Sequence, residues 1–275
     1  MNSWNRLRQF LTLPRLLWVS CLAVCLLCFI FSLLSYSYCL TQYDDSYMFY
    51  RYAHRLVTEH RLAWNPHDEQ SFGLTATGFL APLLPMYFIF SDPGLAVWAA
   101  SMFSGFLFLA LLGLTVWRHC RSGPPYSMAL IALLLGVTLA ISSSMLARHF
   151  YTGMDTTFTM AFLMSYILLA AEFERTPSSG RALALAAWGG LALIARPDLM
   201  LFSFLVPFSL IVFTDDGRTR RLTLVVTAVT GSLLALEMGF ASVFLHSPLP
   251  LPFYAKGMHL YDESFDRVYT GVATF

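Results

Sequence analysis

Charge is what this chain has least of: Asp, Glu, Lys and Arg supply 12% of its residues, about half the share of an ordinary soluble domain. That shortage excludes water as the only solvent around the fold. A strong basic field is missing too. The formal net charge is +1, which leaves nothing to neutralise a run of nucleic-acid phosphates, so nucleic acid is excluded as a partner. Cysteine pattern is the third absence. The five cysteines are Cys21, Cys25, Cys28, Cys39 and Cys120. Three fall inside an apolar run and Cys120 sits in a basic loop, so neither a disulfide framework nor a zinc spacing emerges. What fills the space is apolar: 57% of residues are hydrophobic and 16% aromatic, spread along the chain rather than gathered in one anchor.

A helix that crosses a bilayer needs about 20 largely apolar residues. Leu16–Gln42 carries no charge. Its length, and the lack of a small-residue cleavage site, favour an uncleaved anchor over a signal peptide. Further spans are expected at Leu95–Trp117, Tyr126–Ala147, Thr156–Ala171, Ala182–Ala195, Leu199–Phe213 and Leu222–Leu245. The expected fold class is therefore an all-α polytopic membrane protein with about seven transmembrane helices. Ala182–Ala195 and Leu199–Phe213 are short and read either as two tight spans, the preferred reading, or as one interrupted hairpin around Arg196-Pro197-Asp198.

Basic residues set the orientation. Arg6, Arg8 and Arg15 precede the first span, and Arg118/Arg121, Arg175/Arg181 and Arg218/Arg220/Arg221 then share its cytoplasmic side. The opposite side receives Asp44, Asp45, Asp68, Glu69, Asp155, Asp198 and Asp262. This alternation requires that Gly78–Phe90, interrupted by Pro82 and Pro85, lies in the interface or re-enters rather than crosses. The outer loop 42–77 is the longest polar stretch. Within it, Tyr47–Arg61 places Met48, Tyr52, Leu56 and Val57 on one helical face, with Arg51, Arg55, Glu59 and Arg61 elsewhere. An amphipathic helix along the membrane surface is expected there.

Several stretches carry a resemblance. Tyr43-Asp44-Asp45-Ser46-Tyr47-Met48-Phe49-Tyr50-Arg51-Tyr52-Ala53 resembles the first outer loop of the GT-C superfamily, integral-membrane glycosyltransferases that use polyprenyl-phosphate sugars. It is most similar to the branch containing the mycobacterial terminal arabinofuranosyltransferases. Asn65-Pro66 through Gly73-Leu74-Thr75, Thr152-Gly153-Met154-Asp155-Thr156, Ala195-Arg196-Pro197-Asp198 and Leu249–Lys256 resemble later motifs of that family, in order. Asp155 stands where the family normally has Glu, and Leu251-Pro252 where it often has Pro-Asn-Thr.

The resemblance implies a transmembrane catalytic module over 1–245 and the start of an outer loop over 246–275, with further modules expected beyond Phe275. It implies sugar transfer from a polyprenyl-phosphate donor to a cell-envelope glycan, lipid or protein on the extracytoplasmic face of a bacterial inner membrane. Pentose and hexose donors both stay open.

Inverting transfer needs a base beside the acceptor hydroxyl. Asp44 or Asp45 is the candidate; either could instead cap the surface helix. Arg51, His149, Arg196 and Lys256 are the candidates for the departing lipid phosphate, against snorkelling or interfacial anchoring. Tyr47, Asp155, Asp198 and Tyr254 are the substrate-binding candidates, and an acid at a helix start also explains Asp155. No cofactor is required; a divalent cation on Asp44 and Asp45 stays open. Glu237 is the one acid deep in an expected span and reads either as functional or as a neutral packed group. The rival function is a transporter or flippase of lipid-linked sugars, which should carry several buried charges and internal repeats.

Overall fold

The computed structural model describes residues 45–66, 69–122 and 149–257, with side chains described to 115 in the second stretch and to 254 in the third. Every regular element among them is helical. In order these are α1 (Asp45–Glu59), a 3-10 turn (Thr77–Phe79), α2 (Leu80–Ile89), α3 (Pro93–Ser122) and α4 (Thr156–Arg175). Then come α5 (Ser179–Gly190), α6 (Ala192–Ala195), a second 3-10 turn (Pro197–Leu199), α7 (Met200–Phe213), α8 (Gly217–Phe244) and α9 (Leu251–Gly257).

Among the described residues three helices are long and apolar enough to cross a membrane: Pro93–Thr115 within α3, then α4 and α8. They coincide with three of the expected spans. The expected spans Leu16–Gln42 and Tyr126–Ala147 lie outside the described residues. Ser179–Ala195 and Pro197–Phe213 are shorter apolar helices, each about 25 Å long at 1.5 Å per residue, against a hydrocarbon core of about 30 Å. They part at Arg196, whose backbone is extended at φ −175 and ψ 135. Pro197 dictates this, because its ring clashes with a helical residue before it.

Helix ends follow local chemistry. Asp216 caps α8, accepting from Arg218 N at 3.2 Å and Thr219 N at 3.0 Å. The Thr219 hydroxyl, then those backbone N–H groups, hold its carboxyl below the usual carboxylate range. Asp92 takes the N–H of Leu95 at 2.7 Å near the start of α3. His60 ends α1 in the left-handed region at φ 55, a conformation His tolerates better than most residues.

Helix α1 begins and ends two residues earlier than the expected Tyr47–Arg61. Its buried residues are Ser46, Phe49, Tyr52 and Ala53, so of the expected face only Tyr52 is fully buried. Small Ser46 and Ala53 allow neighbours a closer approach than Met48 or Leu56 would, and packing follows shape as well as hydropathy.

The chain divides into two compact units: Met1–Tyr50 with Ala81–Leu169, and Arg51–Leu80 with Ala170–Phe275. The first is built on Trp98, Met102, Leu109 and Phe150, with Leu95, Phe106 and Tyr151 packed around them. Gly105 admits the Phe150 ring; a Cβ there would stand 2.4 Å from its edge.

The second unit is built on α8. Thr219, Thr223, Val226, Thr230, Leu234 and Ala241 form its buried stripe, recurring every three, four or seven residues as one helix face requires. Thr230 Oγ1 donates to the Ala186 carbonyl at 3.3 Å, and Ser203 Oγ to Gly189 O at 3.0 Å. These bonds tie α8 and α7 to α5. The opposite face of α8 exposes Leu224, Val225, Leu236, Phe240, Val243 and Phe244. Small and hydroxyl residues inside with large apolar ones outside is the packing of helices in lipid.

Candidate functional site

In the first unit the head of α1 meets the turn before α4. Asp45 is the first residue of α1 and is exposed, where the helix dipole favours an acid. Asp44 lies outside the described residues. The next residue, Ser46, is buried against Gly153: a Cβ on Gly153 would lie 3.3 Å from Ser46 Cβ and 2.8 Å from Val97 Cγ2. Gly153 also sits at φ +72, a left-handed backbone that L side chains resist. Two requirements, close approach and handedness, therefore select glycine here. They bring the start of α1, Asp45 and Ser46, against the Thr152–Thr156 motif, far away in sequence.

Buried hydroxyls hold this turn in place. Ser101, in α3, is fully buried; its Oγ lies 3.0 Å from His149 O, 3.2 Å from Met154 O and 3.2 Å from Thr157 Oγ1. Thr157 Oγ1 donates back to the Ser101 carbonyl at 2.8 Å. The one Ser101 hydroxyl proton thus has a backbone carbonyl within reach on either side of Gly153, so α3 lies against both flanks of the turn. Asp155 is 3% exposed, and its carbonyl accepts the Thr159 N–H at 2.9 Å as α4 begins. Thr152 is 2% exposed with no hydrogen-bond partner for its Oγ1, a state that costs about 1–3 kcal/mol in a folded protein. His149 is half-buried, and Tyr47 is 38% exposed on α1. Burial, then Tyr87 and Asp92, push the Tyr50 phenol up.

The second unit gathers three of the other motif stretches. The Arg51 guanidinium carbon stands 4.5 Å from the centre of the Trp64 ring. Buried Tyr52 meets that ring at 6.2 Å between centroids, places its hydroxyl 3.3 Å from Ser71 Oγ and packs on Gly73. Leu251 N donates to Phe72 O at 2.7 Å, joining the proline-rich segment to the glycine-threonine stretch. Helix α6, leading into Arg196, packs on the Thr77–Phe79 turn. Arg196 Nε pairs with Asp198 Oδ1 at 3.0 Å. Tyr254 is half-buried in α9, edge-on to Phe253. Lys256 is on the same helix, and its side chain lies outside the described residues.

Among the described residues no three His, Cys, Asp or Glu side chains gather as a metal site. The residues missed in the sequence are Ser46, Val97, Ser101 and Thr157. Ser101 carried a weak signal, a hydroxyl inside an apolar span, where polar side chains generally need a partner. No protein-family model, no curated protein and no solved structure matches this chain.

Proposed function

We propose that this chain is a glycosyltransferase module of the GT-C type, with about seven spans and a cytoplasmic N-terminus. It moves a sugar from a polyprenyl-phosphate donor to an envelope glycan, lipid or protein on the extracytoplasmic face of a bacterial inner membrane. The observation that carries this reading is the seating of Ser46, beside Asp45, on Gly153 of the Thr152–Asp155 turn. Two stretches that resemble separate motifs of one family are neighbours in one unit. A buried acid, Asp155, lies in the same turn.

The chemistry asked of this corner is modest. The acceptor hydroxyl attacks the anomeric carbon and its proton passes to a carboxylate, Asp44 or Asp45. The bond from that carbon to the lipid phosphate breaks, and the phosphate leaves as an anion with inversion at carbon. General base catalysis of this kind supplies about 10²- to 10⁴-fold. Arg51, His149, Arg196 and Lys256 are the candidate cations for the leaving group.

Asp44→Asn and Asp45→Asn test the assignment. One of the two should lose transfer by about 10²-fold or more while expression and membrane insertion stay unchanged, since Asn keeps the size and capping capacity of Asp. Normal turnover in both variants would remove the base from this corner.

A further inference from the structure

We draw no further inference here: the strongest candidate, the buried Thr152 hydroxyl without a hydrogen-bond partner at the turn before α4, belongs to the site already described.

Discussion

The corner at Gly153 and the corner at Arg196 differ in what holds them. At Gly153, Ser101 and Thr157 are fully buried and join the turn to α3, Thr157 donating to the Ser101 carbonyl and the Ser101 hydroxyl reaching the His149 and Met154 carbonyls. At Arg196, an exposed ion pair with Asp198 spans the reversal, with side chains 32% and 64% exposed. Exposed pairs contribute about 0–1 kcal/mol. Buried hydroxyl bonds contribute about as much each when made, but losing one strands its partner at a further cost of about 1–3 kcal/mol. The first corner is therefore held in one geometry, as positioned chemistry needs. The second turns on the backbone constraint at Pro197, with the Arg196–Asp198 pair across it.

Substitutions can break this contrast in a graded way. Gly153→Ala carries the largest expected effect. Both the positive φ and the 2.8 Å approach to Val97 oppose it, for about 2–4 kcal/mol in total. Gly239→Ala is its counterpart in α8, where an added Cβ meets nothing within 4 Å, and should leave stability unchanged or raise it by up to about 1 kcal/mol. Thermal unfolding in one detergent compares the two, and equal shifts would refute the close packing at Gly153.

Ser101→Ala comes next, at about 1–3 kcal/mol. It should lower the unfolding temperature without altering helix content by circular dichroism. An unchanged midpoint would mean that the hydroxyls do not hold the turn.

Asp216→Ala should have the smallest effect and a pH signature. The Asp216 carboxyl is held below its ordinary range in the folded chain. Its contribution is therefore present above the unfolded carboxylate pKa of about 3.9 and is lost as pH falls through the lower folded value. The midpoint difference between wild type and variant should be visible at neutral pH and vanish in strong acid. A difference that grew with acidification would contradict the capping account.

The sequence carried the helical character and three of the spans, because apolar length is the strongest signal a membrane chain has. Helix α1 was readable from its amphipathic spacing, to within two residues. Its buried face was not, since hydropathy ranks Met48 above Ser46 and cannot see that Gly153 makes room for Ser46. The Ser101–Thr157 clamp was hidden because neither residue is unusual alone and they lie on separate helices. Arg51 was readable as a cation at the membrane surface. Its stacking on Trp64 was not, because the left-handed turn at His60 decides which side chain folds back.

The most direct test of the central claim is sugar transfer by the full-length protein in proteoliposomes, offered a panel of synthetic polyprenyl-phosphate sugars with a cell-envelope acceptor extract. The account predicts transfer from one donor of the panel, with loss in Asp44→Asn or Asp45→Asn. No transfer from any donor, by folded protein that instead moves a labelled lipid-linked sugar between leaflets, would contradict it and make the chain a flippase.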